Sequence, residues 1–119
     1  MAAQEIAEEC HLEIKASELV DLTELAYGGR FNGMVPSAGG CDEFIRLFYY
    51  KTRMEEEELA SLQNRLTGLL DHGEVIRLSL VQLNNLWQAT PDAKALSALA
   101  LYRSLHEAGK LEQYFHDGE

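Results

Sequence analysis

Apolar and polar positions follow different rhythms along this chain, and each rhythm predicts an element. In residues 1–11, Ala2, Ile6 and Cys10 recur at i, i+4 and i+8, with Glu5, Glu8 and Glu9 on the adjoining face. That spacing predicts a helix. No capping residue precedes it, so the chain is expected to start inside an element that should have had a lead-in. Residues 19–25 (LVDLTEL) alternate apolar with polar and predict a half-buried strand. Residues 27–40 (YGGRFNGMVPSAGG) hold five of the nine glycines and one of the two prolines, the signature of a loop. Residues 43–51 (EFIRLFYYK) are aromatic and branched and predict a well-buried strand.

In residues 55–66 (EEEELASLQNRL) the acidic residues sit where a helix dipole is positive, which predicts a helix. Asp71, His72 and Gly73 make a turn, and residues 74–81 (EVIRLSLV) alternate as a third strand. Residues 83–88 read as a short helical turn carrying Trp87. Thr90 as N-cap and Pro91 at the first helical position open a last helix over 92–108, which stops at Gly109. The polar stretch 110–119 is expected to fray. Helix, strand, long loop, strand, helix, strand, helix is the order of a layered α/β or α+β unit. One domain over 1–109 with a polar tail over 110–119 is the organisation expected. Three strands are a small sheet for such a fold and hint that part of the domain is missing.

Composition narrows the chemistry. With 119 residues the chain can close a single core. Twenty Asp and Glu against ten Lys and Arg give a net charge of −10. Such a surface repels nucleic-acid phosphates and anionic membranes, so neither is an expected partner. Cys10 and Cys41 are too few for a disulfide scaffold, and no apolar run approaches the ~20 residues of a membrane span. No signal peptide is seen. A protein of the cytoplasm is expected, with an organelle left open because any transit peptide would lie upstream.

The acidic face of the first predicted helix is the main candidate for chemistry. Like charges at i, i+3 and i+4 cost roughly 0.2–0.5 kcal/mol per pair in an isolated helix. A hard divalent cation reverses that sign, because carboxylate oxygens are the ligands it takes. A solvated acidic face is the plain alternative. His11, His72, His106 and His116 are not spaced as a zinc set, and acidic neighbours disfavour a Cys41 thiolate. Tyr49, Tyr50, Phe48 and Trp87 read as core or interface residues rather than base-stacking ones.

The wider string AQEIAEECHLEI (3–14) resembles the second half of the Nudix box, G-x5-E-x7-R-E-U-x-E-E-x-G-U with U aliphatic. Glu5 and Ile6 match E-U, Glu8 and Glu9 match E-E, and Leu12 matches the final U. Gln4 stands where the pattern has Arg, and His11 where it has Gly; the first half of the box has no counterpart. The blocks PSAGGCDEFIRLFYY (36–50), GLLDHGEVIRLSLV (68–81) and LWQATPDAKALSALALY (86–102) resemble the nucleoside-diphosphate-sugar pyrophosphatase branch of the Nudix hydrolases. The resemblance covers roughly residues 3–109.

That resemblance implies an α/β/α sandwich without its N-terminal strands. It implies Mg²⁺, or Mn²⁺, on Glu5, Glu8 and Glu9, and a further glutamate from a distant loop at Glu74, with Asp71 and His72 as lesser candidates. Gly39, Gly40, Asp42 and Glu43 match the segment that contacts the sugar or nucleotide; glycines at 39 and 40 could equally serve a tight turn at positive φ. The implied reaction is hydrolysis of an ADP- or UDP-sugar to nucleoside monophosphate and sugar phosphate, by a homodimer. Gln4 and His11, and the missing upstream half, are expected to leave these 119 residues poorly active. The alternative is a catalytically impaired, truncated Nudix-like interaction module that associates with a full-length relative.

Overall fold

The computed structural model describes residues 14–40, 42–63, 66–67 and 76–114. In chain order the elements are β1 (Val20–Asp21), α1 (Leu22–Tyr27), β2 (Phe48–Tyr49), α2 (Glu56–Leu62), β3 (Leu66–Thr67), β4 (Ile76–Arg77), α3 (Leu86–Ala89) and α4 (Ala93–Glu107). One-turn 3₁₀ helices lie at Ala16–Glu18, Leu83–Asn85 and Glu112–Tyr114. Helices and short antiparallel ladders together make the chain mixed α/β, the class expected. The helix expected over 1–11 lies outside the described residues. Among the described residues no helix is long and apolar enough to cross a membrane.

The chain divides into two units. One comprises Val20–Tyr49 and Leu86–Glu119. Its ladder pairs Val20 with Tyr49 and Asp21 with Phe48, and the Leu22 N–H continues it to the Leu47 carbonyl at 2.8 Å. Val20, Leu22, Met34, Leu47, Leu105 and Leu111 form the core, with Leu25, Ile45, Tyr49, Leu101 and Tyr102 packed around it. Helix α1 packs on α4, and the Tyr49 and Tyr102 rings lie 4.8 Å apart. Burying a leucine side chain stabilises by about 1.5–3 kcal/mol, so this cluster is the main source of the unit's stability.

The strand expected over 19–25 lasts only two residues. Asp21 stops it, because its carboxylate accepts the Glu24 N–H at 3.0 Å and so caps α1. Asp21 followed three residues later by Glu24 is a capping signature that the alternating pattern concealed. The expected strand over 43–51 is also half-exposed rather than well buried. Leu47 is buried with Ile45 and Tyr49 beside it, while Phe44 and Phe48 on the opposite face are 50% and 43% exposed. Period-2 alternation sends every second side chain outward whatever its type.

The last helix matches its expected span to within a residue, but its cap moves. Asp92 rather than Thr90 is the N-cap, its carboxylate accepting the Lys94 N–H at 2.9 Å. Thr90 Oγ1 accepts the Asp92 N–H at 3.1 Å and steadies the entry. Pro91 therefore precedes the cap. At the other end Gly109 takes φ +74°, its N–H reaching the His106 carbonyl and the Lys110 N–H reaching that of Leu105. This is the Schellman arrangement, which needs a left-handed residue. The turn brings Leu111 back into the core at 1% exposure, so the stretch expected to fray is folded as far as Tyr114.

The other unit comprises Met1–Leu19 and Tyr50–Asn85. Its helix α2 opens with Glu56, Glu57 and Glu58 in the first turn, as the dipole favours, and buries Leu62. It ends four residues earlier than expected. Gln63 leaves the helical region at ψ 124°, and its side-chain oxygen accepts the Leu80 N–H at 2.9 Å. Leu66 and Thr67 then pair antiparallel with Arg77 and Ile76. The strand expected over 74–81 is reduced in the described residues to Ile76–Arg77, with Leu80 and Val81 exposed.

Candidate functional site

Glu5, Glu8, Glu9 and Glu74 lie outside the described residues, as do Asp71 and His72. Among the described residues, no three of His, Cys, Asp and Glu converge to hold a metal ion. The other expected residues fall in the glycine loop. Residues 38–40 form a turn closed by the Gly40 N–H on the Ser37 carbonyl at 3.2 Å. Gly39, Gly40, Asp42 and Glu43 are all solvent-facing around this tip.

The loop is held at its base, where Met34 and Ile45 exchange hydrogen bonds of 2.7 and 2.8 Å. The glycine that this geometry requires is Gly33. A Cβ there would stand 2.7 Å from the Ile45 carbonyl oxygen. Gly39 and Gly40 are not at positive φ, and a Cβ on Gly39 would meet nothing within 4 Å. The positive-φ explanation of those two glycines is therefore set aside. Within this loop it is Gly28, at φ 59°, that takes a positive φ, closing α1.

Beside the loop's return arm, one guanidinium gathers two carboxylates. Arg46 Nη1 lies 2.9 Å from Asp21 Oδ2 and 3.3 Å from Glu24 Oε2. Asp21 Oδ1 also accepts the hydroxyl of Thr23, which is 2% exposed. Burial pushes the Asp21 carboxyl up, but Thr23, the Glu24 N–H and Arg46 together outweigh it and hold the group below its ordinary value. With both carboxylates engaged by an arginine, this cluster joins the loop's return arm to α1 and offers no cation site. The pairing was not legible in the sequence, since 25 residues separate its members.

Two further features escaped the sequence reading. An open concavity of about 410 Å³ is lined by Leu25, Gly109, Lys110, Glu112 and Gln113, none of them expected site residues. At the start of the glycine loop, Arg30 donates from Nε to the Tyr27 carbonyl at 3.2 Å and from Nη2 to the Ala26 carbonyl at 3.4 Å. Its guanidinium carbon lies 5.8 Å from the Phe31 ring centroid, and Phe31 meets Tyr27 edge to face at 5.4 Å. The sequence signal was present in Tyr27-x-x-Arg30-Phe31, but the run reads first as a glycine loop.

No model of a known protein family matches the chain, and no solved structure matches it. The chain is 37% identical over 108 residues to a protein of Arabidopsis thaliana named Nudix hydrolase 14, chloroplastic. The aligned stretch is 91% of this chain and 35% of that protein, so the chain spans about a third of the relative's length. Identity at this level over nearly the whole chain is homology to that Nudix hydrolase.

Proposed function

We propose that the chain is a hydrolase of the Nudix type, acting on the diphosphate of an ADP-sugar or UDP-sugar. The observation that carries this reading is the 37% identity to Nudix hydrolase 14 over 108 residues. The matching of Glu5, Glu8 and Glu9 to the box glutamates adds to it. These three carboxylates suit Mg²⁺ or Mn²⁺, because hard cations take oxygen donors. Glu5, Glu8 and Glu9 would hold such a cation, which would supply charge neutralisation at the diphosphate and a more acidic water. In the proposed reaction a water oxygen bonds one phosphorus while the bridging P–O bond breaks, yielding nucleoside monophosphate and sugar phosphate. Glu74 takes the water's proton in this scheme. Gly39, Gly40, Asp42 and Glu43 contact the sugar or nucleotide from the exposed loop tip. The relative's plastid address makes an organelle the first place to look, ahead of the cytoplasm.

A second reading is a catalytically impaired interaction module, paired with its own copy or with a full-length relative. Phe44 and Phe48, 50% and 43% exposed on one face of the return arm, favour it. The two readings separate on incubation with an ADP-sugar and a UDP-sugar. Slow, Mg²⁺-dependent release of nucleoside monophosphate that Glu8→Gln with Glu9→Gln abolishes is the result expected of the hydrolase. Absence of release, with self-association by light scattering, would overturn it in favour of the module.

A further inference from the structure

Arg30 is held by backbone carbonyls rather than by a carboxylate. Arg46 and Lys94 sit on carboxylates, whereas among the described residues no carboxylate pairs with Arg30. Its Nε and Nη2 are spent on the carbonyls of Tyr27 and Ala26 at the end of α1, which fix the guanidinium in place. Its Nη1 keeps no partner among the described residues. A fixed, unneutralised guanidinium in a chain of net charge −10 is a place for an anion.

The ring beside it is oriented as well. Phe31 meets Tyr27 at an interplanar angle of 85°, with the Arg30 guanidinium over the ring, yet the residue is 55% exposed. An aromatic surface held in one orientation, and still largely in water, loses little entropy on taking a planar partner. The ring and the cation together fit a ligand that carries a flat heteroaromatic group and a phosphate. The other exposed aromatic pair, Phe44 and Phe48, flanks Arg46, whose charge Asp21 and Glu24 already engage. That surface lacks the cation.

We infer that Tyr27, Arg30 and Phe31 form a stacking subsite for the base of the nucleotide, Phe31 receiving the ring and Arg30 Nη1 a phosphate oxygen. The inference rests on the nucleotide-hydrolase reading above and names the part of the substrate that the glycine loop's first residues recognise. Phe31 is a binding residue, Arg30 its cationic companion, and Tyr27 positions the ring.

The test is equilibrium binding to the full chain with EDTA present, using AMP and ribose 5-phosphate as probes. Phe31→Ala should weaken AMP roughly tenfold, the loss expected of one base–aromatic stack, and leave ribose 5-phosphate unchanged. Phe31→Trp should retain AMP, which separates loss of the π surface from loss of the fold. Arg30→Gln should weaken both probes. If the wild-type chain binds AMP and Phe31→Ala binds it equally well, the subsite is overturned and the hydrolase reading stands. If wild type binds ribose 5-phosphate but shows no preference for AMP, base recognition is likewise overturned. If it binds neither probe, the subsite is overturned, and the hydrolase reading is decided separately by Mg²⁺-dependent release of nucleoside monophosphate.

Discussion

Arg46 Nη1 stands 2.9 Å from Asp21 Oδ2, so a guanidinium on the return arm of the glycine loop is joined to the residue that caps α1. Asp21 therefore does three things at once. It ends β1, accepts the Glu24 N–H in the first turn of the helix, and receives the arginine.

The first prediction follows from the charge state of Asp21. Burial opposes its ionisation, but Thr23, the Glu24 N–H and Arg46 together lower its pKa from 3.8. A carboxylate whose folded pKa is depressed stabilises fully above the unfolded pKa and loses that contribution as pH falls through the folded one. Asp21→Asn keeps an oxygen able to cap α1 and removes only the charge. Urea midpoints should show wild type more stable than Asp21→Asn at pH 6, with the gap closing below about pH 4. A gap independent of pH would show that the charge does no work here.

The second concerns the glycines. A Cβ on Gly33 meets the backbone of Ile45 at 2.7 and 3.0 Å, and backbone cannot swing aside. Gly33→Ala should destabilise by about 1–3 kcal/mol, the range for forcing a methyl into packed surroundings. Gly39→Ala, with nothing within 4 Å and no positive φ, should change stability by less than about 0.5 kcal/mol. Chemical denaturation of the two variants side by side checks both; equal midpoints would remove the close approach as the reason for Gly33.

A third prediction turns on Leu111, which lies beyond the helix yet is 1% exposed. Leu111→Ala should cost about 2–5 kcal/mol, as for other buried leucines. Leu96→Ala, at a position 36% exposed on α4, should cost much less. Thermal melts that rank them the other way would mean that the segment after Gly109 is not part of the core.

The fourth tests the chemistry under the proposed function. Mg²⁺ or Mn²⁺ should perturb the Glu5–Glu9 segment in NMR spectra, and Glu8→Gln with Glu9→Gln should abolish the response. Glu74→Gln should lower kcat far more than it raises KM, since the lost interaction belongs to the transition state. A kcat within about threefold of wild type, worth only ~0.7 kcal/mol, would make Glu74 a turn residue.

What the sequence determined by itself is what local interactions determine. The last helix was legible because Thr90, Pro91, Asp92 and Gly109 act within a turn of where they stand, and its cap moved only from Thr90 to Asp92. The glycine loop was legible for the same reason. Tertiary structure decided the rest. Whether LVDLTEL continues as a strand depended on Asp21 turning back to cap α1, with Arg46 secured to it from 25 residues away. Which glycine mattered depended on Ile45 approaching Gly33. That Leu111 belongs to the core depended on the Gly109 turn returning it to Leu22 and Leu105. The strength of a local rule falls off within a few residues, whereas burial and ion pairing act between whichever side chains the folded chain brings into contact.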